Sequence, residues 1–234
     1  GSNRSGITSA YMREALEQGA ERFGWEERRA RSGQRDGSKV RGVGVGQAFH
    51  AAGNSGFDGL VRITPDGKLH IHSGVGNLGT YSYASTSRVA AEVLKCRWEN
   101  SEIIRGDSSK GLPWNLAQYG STTSFTMTRT NFAAATDAVR KLKEIAARRL
   151  GGSASGYDIG NETVFARGNP SRRLTYAQAA QAAIEIGGEF SGHEAPEDIH
   201  DMTRRAVAGL AGTGLIGVAR DNLEQTGMVP ALAA

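Results

Sequence analysis

Cys96 is the only cysteine among 234 residues. One thiol excludes an internal disulfide and leaves too few thiolates for an iron–sulfur cluster or a cysteine-based zinc site, so any such centre belongs on a partner. Cys96 has neither a histidine nor a helix end beside it in the sequence, and reads as a small core residue rather than a nucleophile. No apolar run approaches the ~18 residues of a membrane span, and the opening GSNRSG lacks the charged leader and apolar segment of a secretory signal. The expectation is a soluble cytoplasmic chain, or a periplasmic one if it is exported with a partner. The sequence contains no GxSxG elbow, no Walker loop and no H-E-x-x-H pair, so the nucleophilic, nucleotide-hydrolysing and zinc-protease chemistries they serve find no footing. His70 and His72 share one strand face, while His193 and His200 lie in an acidic stretch with Glu194, Glu197 and Asp198. The first pair could meet on a metal, but neither resembles an H-E-x-x-H arrangement, and both are expected to be structural. An excess of one charge is missing too. Twenty-eight basic residues against 24 acidic ones leave a net charge of +4, which reads as a solvated surface and not as a nucleic-acid footprint.

Glycine is what the chain has in plenty, at 32 residues scattered through short motifs without a collagen-like period. Three of them fall in SGVGNLGTYS, Ser73 to Ser82, in a GxGxxG spacing that follows an expected strand and precedes an expected helix. That order lets backbone N–H groups and a helix N-terminus cradle a phosphate, because residues without side chains allow an anion close to the positive end of the helix dipole. The strand belongs to GLVRITPDGKLHIHS, two alternating runs joined at Pro65, Asp66 and Gly67, which is a β-hairpin. The helix spans Tyr83 to Leu94, with Val89, Ala90 and Val93 facing inward. SEIIRGD reads as a short strand, and KGLPWNLAQYG as a long loop of the kind that lines a site. A hydroxyl-dense run, Ser121, Thr122, Thr123 and Ser124, then opens one long helix stopped by Gly151 and Gly152. Those hydroxyls either cap the helix or donate to an anion.

The flanks are plainer. Ser9 to Phe23 places Met12, Leu16, Ala20 and Phe23 on one side of an amphipathic helix that Gly24 ends. A polar connector follows whose Arg28, Arg29 and Arg31 read as solvent-facing charges, and VRGVGVGQAF suggests a strand approached closely by another group. Beyond Gly152, YDIGNETVF is a small hairpin turning at Gly160 and Asn161. Thr175 and Gln178 form a capping box that starts a helix. A further helix is expected from Pro196, with Ile199, Met202, Ala206 and Leu210 inward, and LIGVA is a last strand. The division drawn from these textures is 1–38, helix and charged connector; 39–152, cofactor-binding core; and 153–234, a secondary lobe. The fold class is mixed, α+β, with hairpins and strands packed against long helices.

In order and spacing, KVRGVGVGQA, DGKLHIHSGVGNLGT, SRVAAEVL, IIRGDS, QYGSTTSFT and AAATDAVRKLKEIAARRL resemble the molybdopterin-binding region of the large subunit of the xanthine dehydrogenase and aldehyde oxidase family. The resemblance implies that two segments contact a pterin dinucleotide: Gly76, Asn77, Leu78, Gly79 and Thr80, and Gly120, Ser121, Thr122, Thr123 and Ser124. It implies molybdopterin dinucleotide, in its cytosine form, with molybdenum. It also implies iron–sulfur clusters and FAD on partner chains, so the expected partners are other parts of the large subunit, an iron–sulfur subunit and an FAD subunit. The activity implied is oxidation of an aldehyde or N-heterocycle with water-derived oxygen. Leu78 departs from the family's usual glutamine and Thr122 from its usual arginine. A GGFGGK-like loop and the late GxGE motif carrying the family's general base are not found, so the chain resembles a middle segment with no catalytic residue and no metal ligand of its own. Two other readings stand beside this one. One is a nicotinamide dinucleotide-binding fragment, disfavoured because the glycine loop follows an antiparallel hairpin instead of opening a βαβ unit. The other is a noncatalytic scaffold subunit.

Overall fold

The computed structural model describes residues 11–47, 57–115, 117–119 and 122–221, in two compact units, one containing the described residues 11–47 and the other 57–221. In the first, α1 (Met12–Phe23) ends at Gly24, whose φ of 66° is the left-handed cap that glycine adopts without strain. A second short helix, α2 (Trp25–Ala30), and a two-residue ribbon of β1 (Arg35–Asp36) and β2 (Lys39–Val40) occupy the stretch expected to be a featureless connector. Acidic residues in the first turn of α2 and arginines in its last complement the helix dipole. Arg31 pairs with Glu27 at 2.8 Å, and Arg28 donates to the Phe23 carbonyl, which answers what these arginines do. Met12, Leu16 and Phe23 do lie on a helix, but the stripe is exposed and α1 buries no residue. Of the expected strand at 40–49, Val40 ends β2 and residues 41–47 carry no regular structure; 48 and 49 lie outside the described residues.

In the second unit, the predicted hairpin forms β3 (Asp58–Ile63) and β4 (Leu69–His72), with Gly67 at φ 84° in the turn. After β4 come the glycine loop, α3 (Ser82–Val93) and β5 (Ser101–Ile104). β5 pairs with β4 in parallel, Leu69 opposite Ser101 through His72 opposite Ile104. The glycine loop therefore does open a β–α–β crossover, correcting the sequence argument. A strand has two edges, and β4 gives one to its hairpin partner and the other to β5. Then α4 (Thr128–Leu150), β6 (Tyr157–Gly160), β7 (Thr163–Ala166), β8 (Asn169–Thr175), α5 (Tyr176–Ile186), α6 (Asp201–Gly209) and β9 (Leu215–Arg220) complete the unit. The sheets are β5-β4-β3-β9 and an antiparallel β6-β7-β8 meander.

Alternation along β3 decides the packing. Val61 and Ile63 join Leu69 and Ile71 of β4 in the larger core, with α3, α4, α5 and the meander. Leu60 instead joins Ile216, Val218 and the α6 residues Ala206 and Val207 in a second cluster on the opposite face. Helix α4 can approach β3 and β9 because Gly59 and Gly217 carry no Cβ. An added carbon at Gly59 would lie 2.1 Å from the Thr130 carbonyl oxygen, and one at Gly217 would lie 2.5 Å from that of Ala134. Two buried charges fasten the same helix. Lys141 reaches the Ile216 carbonyl at 2.9 Å and Asp137 at 2.7 Å, and Arg129 pairs with Asp221.

The capping box is present as expected, Thr175 accepting from the Gln178 N–H and Gln178 from the Thr175 N–H. The sixth helix starts later than Pro196, at Asp201, because His200 caps it: its Nδ1 accepts from the Met202 N–H at 3.1 Å. Ile199 and Ala206 are buried as expected, whereas Met202 is exposed. Cys96 packs at the edge of the main core, and burial pushes its thiol pKa up to about 12, as an inert thiol requires.

Candidate functional site

The crossover sets the site. From His72 the chain leaves the sheet through Ser73, and the Gly74 N–H is held by the Asn115 side chain at 2.7 Å. An added Cβ at Gly74 would lie 2.6 Å from the Pro113 carbonyl oxygen, so only glycine fits where the two loops touch. Asn77 then folds the loop on itself. Its Oδ1 accepts from Gly79 N–H at 2.9 Å and Tyr81 N–H at 3.3 Å, an Asx-type turn that carries Gly79 to φ 89° and Tyr81 to φ 53°. Tyr81 is a non-glycine residue in the left-handed region, just before α3. Such strain is held only where the surroundings over-determine it, and it concentrates at sites of function.

The second predicted segment arrives opposite. Gln118 bridges the two: its Oε1 accepts from the Leu78 N–H at 3.0 Å and its Nε2 donates to Ser82 Oγ at 2.6 Å. Thr122 begins a helix whose next five residues, Thr123–Met127, form a π-turn before regular α4 takes over. π-Turns inside helices are frequent at functional positions because they widen one turn and redirect its side chains. Between the segments lies a cleft of about 330 Å³, lined by Leu78, Thr80, Ser82, Gln118, Thr122, Thr123 and Ser124 among others.

Of the ten predicted residues, Leu78, Thr80, Thr122, Thr123 and Ser124 thus meet in one cleft. Gly76, Asn77 and Gly79 shape the loop without lining the cleft, and Gly120 and Ser121 lie outside the described residues. Sequence reasoning missed Gln118, although it sits two positions before Gly120 in the motif itself. Ser82 and Ser85 were missed as well; their signal was only their place in the first turn of α3.

Chemically, the lining is hydroxyls, an amide and the Leu78 side chain, with no carboxylate and no cation among the described residues. The loop N–H groups divide. Those of Leu78, Gly79 and Tyr81 are taken by the two amides, while no described residue accepts from those of Gly76, Asn77 and Thr80. A Cβ at Gly76 or Gly79 would meet nothing within 4 Å, so the loop backbone is open to close approach. Free N–H groups, a helix start and seven hydroxyls around an acid-free cleft fit a polyanionic, hydrogen-bond-rich ligand such as a pterin dinucleotide. His70 and His72 take no part. His70 accepts from Arg62 at 2.8 Å and His72 is tied to the Gly111 carbonyl at 2.7 Å. Among the described residues no group of three metal-ligating side chains occurs.

A β–α–β crossover brings its glycine loop opposite a hydroxyl-rich helix start, an arrangement able to hold an anion. The chain belongs to the molybdopterin cofactor-binding domain family, whose model matches residues 18–215. It is 30% identical over 209 residues to the aldehyde oxidoreductase molybdenum-binding subunit PaoC of Escherichia coli, covering 81% of this chain and 27% of that protein. It is similar, at 29% identity over 107 residues, to the probable hypoxanthine oxidase XdhD of the same species, covering 44% of this chain and 11% of that one. The structure of a Cu,Mo-CO dehydrogenase matches 92% of this chain and 27% of its own with a TM-score of 0.55 at 16% identity, a likeness of fold. The mixed α and β class is that of these molybdenum-enzyme neighbours. The chain spans about a quarter of the length of the aldehyde oxidoreductase subunit it matches. None of them supports the nicotinamide reading.

Proposed function

We propose that this chain is the part of a molybdenum hydroxylase that grips the dinucleotide end of molybdopterin, in an enzyme that oxidises an aldehyde or N-heterocycle. The observation that carries the reading is the cleft itself, where two distant segments, 76–80 and 122–124, converge without an acidic residue. Free N–H groups of Gly76, Asn77 and Thr80 would receive phosphate oxygens. The hydroxyls of Thr80, Ser82, Thr122, Thr123 and Ser124 would hold the pterin and pyrophosphate, in the roles proposed for these positions and for Gly120 and Ser121 beside them. The metal, when bound, supplies transfer of water-derived oxygen to the substrate. This chain's residues supply binding and orientation only. The nucleotide is cytidine, the core that holds it is 39–152, and the general base, iron–sulfur clusters and FAD reside on other parts of the large subunit or on partner subunits in the cytoplasm.

Ser124, exposed at the cleft, offers a test in the native complex. In Ser124→Asp a carboxylate faces the bound phosphates. Like charges about 4 Å apart repel by about 4 kcal/mol at an effective dielectric of about 20, enough to weaken retention on the order of a thousandfold. Ser124→Ala should keep most of its molybdenum. A full molybdenum complement in Ser124→Asp would sink the placement. One observation favours a scaffold instead: Leu78 is 72% exposed and three loop N–H groups are already satisfied internally. Wild-type complex lacking both metal and pterin would decide for it.

A further inference from the structure

A second and larger cavity, about 550 Å³, lies on the α6 face of the main sheet and shares no lining residue with the cleft. Its floor is Arg62 of β3 and His72 of β4, its walls the loop 108–115 and helix α6. Three cations, Arg62, Lys110 and Arg205, line it, and no described aspartate or glutamate does. Lys110 and Arg205 make no ion pair with any described residue, whereas Arg97, Arg129, Arg140, Arg149, Arg167 and Arg204 of the same unit do. Leu112, Trp114 and Leu210 supply apolar surface. The loop is pinned over the cavity, with Gly111 at φ 67° packed against α6 so closely that a Cβ would lie 3.2 Å from the Leu210 side chain.

Two buried polar atoms of the floor are left without partners, the Arg62 Nε donor and the His72 Nε2. His72 must carry its proton on Nδ1, because that atom meets the Gly111 carbonyl at 2.7 Å. Nε2 of the neutral ring is therefore an acceptor. A buried donor and a buried acceptor on neighbouring strands are what one hydroxyl satisfies at once, accepting from Arg62 and donating to His72.

We propose that this cavity is a binding site for a small aromatic hydroxycarboxylate. The carboxylate meets Lys110 and Arg205 at the mouth, the ring lies along Leu112, Trp114 and Leu210, and the hydroxyl bridges Arg62 Nε and His72 Nε2. Nothing in the grip on molybdopterin requires this site.

4-Hydroxybenzoate is the probe, titrated by calorimetry and amide NMR into the 234-residue chain. Saturable binding tighter than about 1 mM is expected, with shifts centred on residues 108–115 and 202–210. Benzoate, lacking the hydroxyl, and phenol, lacking the carboxylate, should each bind about tenfold more weakly. The exposed-residue double variant Lys110→Glu/Arg205→Glu should fold and lose at least tenfold in affinity. No saturation by 4-hydroxybenzoate, unchanged affinity in the double variant, phenol binding as well as 4-hydroxybenzoate, or shifts centred on residues 122–124 would each overturn the proposal. Saturation by cytidine monophosphate at residues 108–115 without 4-hydroxybenzoate binding would overturn it as well, since the cavity would then serve a nucleotide. A single bound water bridging Arg62 and His72 would show as an absence of 4-hydroxybenzoate binding.

Discussion

Gly59→Ala should be costly although it adds one methyl group to a strand. The added carbon would sit 2.1 Å from the Thr130 carbonyl oxygen, 2.7 Å from its carbon and 2.9 Å from the Ala134 methyl. These obstacles are mostly helix backbone, which has no rotamer to give, so α4 must lift from the sheet or β3 must bend. Overpacking of well-filled cores costs about 1–3 kcal/mol, and a backbone obstacle belongs at the upper end. At about 2–4 °C per kcal/mol for a unit of this size, the loss is about 6–12 °C in Tm. Thermal unfolding followed by circular dichroism measures it. Gly76→Ala is the control, because its Cβ would enter open space, and its Tm should match the wild type. Because α4 continues the helix that begins at Thr122, the same lift would disturb the cleft. A Gly59→Ala protein melting within about 1 °C of wild type would refute the reasoning about sheet–helix approach.

Three further outcomes follow from the same contacts. Asp221→Asn removes the carboxylate facing Arg129, which is 1% exposed, and should cost about 3–5 kcal/mol in urea unfolding; a loss under about 1 kcal/mol would show that water reaches the guanidinium. His72 is held neutral, burial having pushed its pKa down to about 4. Below the ordinary value of about 6.5 the unfolded chain takes up a proton that the folded chain refuses. Stability should therefore fall as pH drops from about 6.5 to about 4, by on the order of 3 kcal/mol, and His72→Gln should flatten that slope; an unchanged slope in the variant would assign it elsewhere. Gln118→Leu cuts both ties between the two cleft segments, at about 1–2 kcal/mol. Hydrogen exchange at the Leu78 amide should quicken, and protection equal to wild type would contradict the bridge.

How much of this was legible in the sequence depended on how local the cause was. The hairpin 58–72 could be read because alternation and a Pro-Asp-Gly turn lie within one short stretch, and the α5 cap because Thr175 and Gln178 are three residues apart. The parallel docking of β5 on β4 was not legible, since it is decided by pairing across a whole helix, and its absence misdirected the argument about the glycine loop. Strand β8 hides behind Pro170, Arg172 and Arg173, which read as loop but sit on an exposed edge. Arg129 and Lys141 look like surface charges in any helical pattern. Only the fold brings Asp221 and the Ile216 carbonyl to them. Within the site, the two glycine and hydroxyl segments were legible by motif. Gln118, which ties them, was not, because an amide between loops has no periodic signature.

The most direct test of the cofactor reading is the composition of the native complex, with molybdenum measured by mass spectrometry and nucleotide released by acid. Equimolar molybdenum and cytidine monophosphate per copy of this chain are predicted. A pure, intact complex containing neither metal nor pterin nucleotide would contradict the account.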